Sequence, residues 1–126
     1  MISVTIDNLI TYLSNNCNAN VYLASKDPTP ADYPLINVKA IGSGSIEYRS
    51  TSANFAVIPI TMTIIVDSDN EHKAFDVLDN LLSCINGFEA YRGHSLTGSA
   101  VYEYTDNSTY EITIDYLIKL DMQREA

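Results

Sequence analysis

Phe55 to Asp67, FAVIPITMTIIVD, followed at once by Ser68-Asp69 and by Asn70 to Asn86, NEHKAFDVLDNLLSCIN, decides how this chain folds. In the first segment Ala56, Ile58, Ile60, Met62, Ile64 and Val66 alternate with Phe55, Val57, Pro59, Thr61, Thr63 and Ile65. A period of two puts the first set on one wholly apolar face of a strand and the second, mixed set on the other. In the second segment Phe75, Leu78, Leu81, Leu82 and Ile85 recur at three and four residues, the stripe of an amphipathic helix, with Lys73, Asp76, Asp79 and Asn80 mainly opposite. Ser68 and Glu71 have the spacing of a capping box, Asp69 and Glu71 suit the positive end of the helix dipole, and Gly87 is placed to end the helix in a left-handed conformation. The apolar face of the strand and the stripe of the helix are expected to bury one another.

Towards the N-terminus, Ile6, Leu9, Ile10 and Leu13 predict a short amphipathic helix, with Ser3 or Thr5 as its cap. ANVYLAS then reads as a strand with Val21 and Leu23 on one face, and KDPTPADYP, with three prolines, reads as a loop. LINVKAI is a second strand, alternating Ile36, Val38 and Ala40 against Leu35, Asn37 and Lys39. Gly42 to Asn54, GSGSIEYRSTSAN, reads as a long, mobile hairpin arm whose middle suits strand pairing with a partner. Beyond the central helix, FEAYRGHSLTG is expected to cross as a loop to another edge. SAVYEYT and TYEITIDYLIKLDM then form a hairpin about a tight Asp106-Asn107 turn. In the last strand Tyr110, Ile112, Ile114, Tyr116, Ile118 and Leu120 face the core, and Glu111, Thr113, Asp115, Lys119 and Asp121, interrupted by Leu117, face away. The fold class is therefore α+β: a mostly antiparallel sheet of about five strands, single-layer or sandwich-like, with two helices packed on it. A chain of 126 residues is expected to form one domain over 1–126.

The net charge of −9 is uneven: residues 1–63 carry four acids and three bases, so −8 lies beyond them. Such a surface repels phosphate and argues against a protein that grips duplex DNA or RNA; it suits a channel wall to which nucleic acid must not stick, or simply a soluble surface. No apolar run reaches the length of a membrane span, and the N-terminus lacks the basic lead of a secretion signal, so a soluble product made in the cytoplasm is expected. Cys17 and Cys84, near the ends of the two helices and without metal or CxxC spacing, are expected to be reduced, buried or half-buried thiols.

Catalytic and metal motifs give little. Asp67, Asp69 and Glu71 imitate the start of a calcium loop, but His72 stands where it needs glycine and Leu78 where it needs the bidentate acid. His94 and Ser95 are adjacent but lack the frame of a nucleophilic site, Gly42 to Ser45 lacks the lysine of a phosphate loop, and alternating tyrosines such as Tyr102, Tyr104, Tyr110 and Tyr116 suit cross-strand packing. No enzymatic activity and no cofactor or metal are expected.

The order of elements resembles the tail terminator, or tail completion, proteins of long-tailed bacteriophages. The features that carry the resemblance are the helix at Ile6 to Leu13, the loop ending Asp32-Tyr33-Pro34-Leu35-Ile36, the Gly/Ser arm and the long strand at Phe55 to Val66. The Asp-rich approach to a helix ending in Leu81-Leu82 and the closing hairpin complete it, over nearly the full length. The resemblance implies a homo-oligomeric ring, a hexamer in the family, that caps the tail tube, ends its polymerisation and offers the head-joining surface. The implied partners are further copies of itself, the tail tube protein and a head-completion or neck protein. DNA would pass through the ring without specific binding, no membrane is involved, and the place is the virion tail or neck after assembly in the host cytoplasm. Ser45, Ile46, Tyr48 and Arg49 are the expected contacts to a neighbour or tube, and Glu111, Asp115 and Asp121 the expected acidic lumen. The alternatives are another neck or tail component, such as a stopper or tube protein, and a cellular α+β module binding a ligand or peptide.

Overall fold

The computed structural model describes residues 2–23, 32–49, 52–88 and 92–121. The elements run α1 (Ile2–Asn16), β1 (Asn20–Leu23), β2 (Leu35–Lys39), β3 (Ser45–Arg49), β4 (Ser52–Asp67), α2 (Glu71–Cys84), β5 (Arg92–Tyr104) and β6 (Thr109–Asp121). The six strands form one sheet in the order β1-β2-β4-β6-β5, with β3 pairing to β4 off that path. β1 and β2 are parallel and every other pairing is antiparallel. This is the expected α+β fold with one more strand.

β4 is the spine. One of its edges pairs with β6 over the whole span from Phe55↔Asp121 to Asp67↔Thr109, and the other is shared by β2, opposite Thr61 to Ile65, and β3, opposite Ser52 to Val57. Every even residue from Ala56 to Val66 and from Tyr110 to Leu120 is buried, as the alternation predicts. Both helices close that face: Leu9 and Leu13 of α1, and Ala74, Val77, Leu78 and Leu81 of α2, join those side chains in one core. Among the described residues no helix packs on the opposite face.

Between β2 and β3 the edge is interrupted, and Pro59 explains why. Five residues, Ala40 to Gly44, stand opposite three, Ile58 to Ile60, so the register of β3 is shifted by two relative to that of β2. Groups two residues apart on a strand point to the same edge. A Cβ on Gly44 would lie 2.1 Å from the Val57 carbonyl oxygen and 3.1 Å from the Pro59 ring, so the Pro59 nitrogen faces this same edge, where it has no N–H to donate. Gly42 takes φ +118° here, a conformation side chains rarely adopt.

Several local expectations are corrected. The arm at Gly42 to Asn54 does not wait for a partner: its middle is β3, hydrogen-bonded into its own sheet beside β4. RGHSLTG is not a crossing loop but the first half of β5, which reaches Ala100 through a two-residue register shift after Leu96. α1 begins at Ile2, so Thr5 is a buried residue of its inner face rather than its cap. The capping box does not form: Ser68 to Asn70 make a 3-10 turn, no side chain caps α2, and the Ser68 amide instead donates to the Ser108 carbonyl at 3.0 Å. The inner face of α2 is Ala74, Val77, Leu78 and Leu81, which leaves Phe75 half-buried and Leu82 exposed. Gly87 closes a 3-10 turn without positive φ, and its need is steric, since a Cβ there would lie 2.5 Å from the Tyr12 hydroxyl. Val21 faces the core but Leu23 is exposed, and Ala40 lies outside β2.

Candidate functional site

The helix-free face of the sheet is built by the odd residues of β4 and β6. Across its middle run Asn37, Thr63, Thr113 and Val101 in one cross-strand row, with the Thr63 and Thr113 hydroxyls 3.2 Å apart. The next row towards the β3 end is Lys39, Thr61 and Asp115, and further along Lys119 stands opposite Val57. In the other direction Glu111 stands opposite Ile65 on one side and Glu103 on the other. The Thr109 hydroxyl donates to Glu111 Oε2 at 3.1 Å. Burial, then Asp67, Glu111 and Asp32 in turn, push the Tyr33 phenol above its usual ionisation range, so Tyr33 of the Tyr-Pro sequence sits at this acidic end.

Glu111 and Asp115 lie on the same, helix-free face of β6. Side chains at 47–55, 91–98 and 121, and with them those of Tyr48, Arg49 and Asp121, lie outside the described residues. The face is not uniformly acidic. Lys39 lies two strand spacings, about 10 Å, from Asp115 in the same row. Lys119 follows four residues along β6, so lysines are interspersed with acids along this face, and Glu103 and Glu111 stand together towards the Thr109 end.

A second feature was not visible in the sequence. Among the described residues the exposed large hydrophobics are Val4, Leu23, Ile41, Ile46, Leu82, Val101, Tyr102 and Tyr104. They fall in two groups. Leu82 of α2 with Tyr102 and Tyr104 of β5 lies on the helix side of one outer edge of the sheet, where Tyr104 is 60% exposed, and Val101 of the same strand faces the helix-free side. Tyr102 and Tyr104 stack at 6.3 Å and 4.7 Å on Phe75 and Tyr110, so their rings are held in place with one side open. Leu23 of β1, Val4 of α1, Ile41 of the interruption and Ile46 of β3 lie on the opposite side, where Ile46 is 58% exposed. A groove lined by Ile2, Ala40, Ile46, Ala56, Ile58 and Pro59 runs beside this second group. Ser45, also exposed, borders it.

The catalytic candidates do not assemble. His72 is exposed on α2, 3.8 Å from Asp76 as an ordinary i,i+4 surface pair, while the side chains of His94 and Ser95, successive residues of β5, lie outside the described residues. Among the described residues no group of three His, Cys, Asp or Glu is placed to hold a metal. No described helix is long and apolar enough to cross a membrane.

No protein-family model matches the sequence, and no match was found among curated proteins. The fold itself recurs. A chain in the solved structure "Virion of native gene transfer agent (GTA) particle" superposes with a TM-score of 0.58 over 93% of this chain and 91% of that one, at 16% identity. At that identity the likeness is one of fold.

Proposed function

We propose that this chain is a structural, non-enzymatic component of a phage-like virion, in which copies join edge to edge into a closed ring. The ring caps the tail tube, stops its growth and offers a surface to the head or neck, with DNA passing through its centre. The observation that carries the ring is the split of exposed apolar side chains into two unlike groups on opposite sides of one sheet. A patch that met its own kind would give a two-fold dimer; two different patches on opposite sides give head-to-tail contacts, which close into rings or run on as filaments. The fold shared with a chain of a gene transfer agent virion supports the virion setting. In this arrangement Ser45, Ile46, Tyr48 and Arg49 on β3 meet the next copy or the tube, and the helix-free face, with Glu111 and Asp115, lines the passage, with Asp121 following at the end of β6. Lys39 and Lys119 on that face temper the repulsion of passing phosphate without supplying a gripping surface.

The test is the solution mass of the purified chain over a concentration series, with and without tail tubes, alongside Ile46→Glu and Tyr104→Glu variants. A ring of discrete mass, lost in either variant, is expected. A monomer at every concentration that ignores tubes overturns the proposal, and open filaments reassign the chain to the tube itself.

A further inference from the structure

The two cysteines, 67 residues apart in sequence, meet where the ends of both helices converge. Cys17 is the first residue after α1, its amide donating to the Leu13 carbonyl at 2.9 Å, and Cys84 is the last residue of α2. Their sulfurs are 3.8 Å apart and both are free thiols. The surroundings hold this junction from several sides. The Tyr12 hydroxyl donates to the Cys84 carbonyl at 2.6 Å, the Asn80 amide donates to the Asn18 side-chain oxygen, and the Tyr12 and Phe88 rings pack at 5.7 Å. The missing side chain of Gly87 leaves room for the Tyr12 hydroxyl.

We propose that Cys17 and Cys84 are a built disulfide site, closed by a peroxide, that staples the end of α1 to the end of α2. Bond formation needs the sulfurs to approach from 3.8 Å to about 2.05 Å, a travel of less than 2 Å that side-chain rotation can largely supply. Cys84, the less buried of the two, meets the oxidant first. Its thiolate attacks one oxygen of hydrogen peroxide, the O–O bond breaks, and the sulfur becomes a sulfenic acid as hydroxide leaves and is protonated to water. The Cys17 sulfur then attacks Cys84 Sγ, the S–O bond breaks, and the departing hydroxide takes the Cys17 proton and leaves as water. The sum is two thiols and one peroxide to one disulfide and two waters. Burial, then the neighbouring Cys84 thiol, push the Cys17 thiol up to about 12, which disfavours it as the first target; its later attack rests on the short sulfur–sulfur distance.

The staple joins the N-terminal helix to the helix after β4 without touching either apolar edge or the helix-free face. If the virion setting holds, the pair stays reduced during assembly in a reducing cytoplasm and closes after release, but the chemistry does not depend on that setting.

The experiment treats the full chain with hydrogen peroxide and follows intact mass, free thiols and thermal unfolding, with Cys17→Ser and Cys84→Ser in parallel. The wild-type chain is expected to lose two hydrogens in mass and both thiols while remaining unlinked to other copies, with the thermal midpoint rising by on the order of 10 °C and reverting with reductant. Neither variant should lose two hydrogens or gain the shift. Persistence of both thiols, covalent dimers, or added oxygen without linkage in a chain that remains folded overturns the proposal. Because solution mass is read separately, a ring that fails to form leaves this result standing, and the reverse.

Discussion

Ile112 and Thr113 are neighbours on β6, yet they live in different molecules, so to speak: Ile112 is fully buried under the helices, and Thr113 looks out from a face that no described helix covers. The covered face is made of aliphatic side chains and two tyrosines, Tyr110 and Tyr116, packed into one core. The other offers hydroxyls, carboxylates and lysines in rows. One face holds the fold together; on the other Leu35, Asn37, Ile65 and Thr109 are buried too, and Asp115 and Lys119 mark the part that is open surface. The same division of labour is repeated at the edges, where apolar groups that the core does not use lie towards opposite sides of the sheet.

The sharpest way to break this contrast is to cut the same β6 ladder on alternate sides. Ile112→Ala should cost about 3 kcal/mol in urea unfolding through the cavity it leaves, whereas Thr113→Ala should cost under about 1 kcal/mol, the worth of its hydroxyl contact to Thr63. Equal costs would mean that the faces are not unlike. Gly44→Ala comes next, at about 2 kcal/mol, because the added methyl would meet a backbone oxygen that no rotamer change can move. Amide exchange should show the loss confined to β3, with β2 and β6 still protected.

Alkaline pH gives a broader test of the covered face. Burial pushes the phenols of Tyr110 and Tyr116 upwards, with Glu71 adding to the effect at Tyr110, as burial and nearby acids do at Tyr33. A raised native pKa means that the unfolded chain releases these protons first. Stability should therefore be level below pH of about 10 and fall as pH rises through the native values, tracked by tyrosinate absorbance during unfolding. A gradual titration of all nine tyrosines with no loss of fold would contradict the packing described. The smallest expected effect is that of Asp115→Lys, exposed on the helix-free face, which should leave the unfolding midpoint within error while altering DNA passage if the ring reading holds.

Much of the fold was legible in the residues because burial on one face writes a period of two. The alternations from Ala56 to Val66 and from Tyr110 to Leu120 could be read directly, and so could the helix between them. Less legible was anything set by contacts distant in sequence. Ser45 to Arg49 looked like an arm because Gly42 to Ser45 precede it and Ser50 to Asn54, small and polar, hide the start of β4 that pairs with it; Pro59, which interrupts the edge, was visible, but its consequence for Ala40 to Gly44 was not. Arg92 to Gly98 was read as a loop since Gly93 and Gly98 weaken any strand pattern. Ser68 and Glu71 matched a capping box by spacing alone, and the amide of Ser68 found Ser108 instead. Glu111 and Asp115 were placed on the right face by parity. Tyr102 and Tyr104 were read as cross-strand packing, which is half their situation; that β5 is an outer strand depends on strand order, and no local signal in these residues carries it. The pairing of Cys17 with Cys84 is of the same kind, invisible until the two helix ends meet.

The central claim is that two unlike edges meet head to tail, and mixing two damaged copies tests it most directly. Ile46→Glu spoils one edge and Tyr104→Glu the other, so each variant alone should be a monomer by native mass or sedimentation, while an equimolar mixture retains one intact pair of edges. The account predicts that the mixture forms a dimer and stops there, and that the unmodified chain goes on to a closed ring. A mixture that stays monomeric while the unmodified chain assembles, or single variants that still assemble, would contradict it.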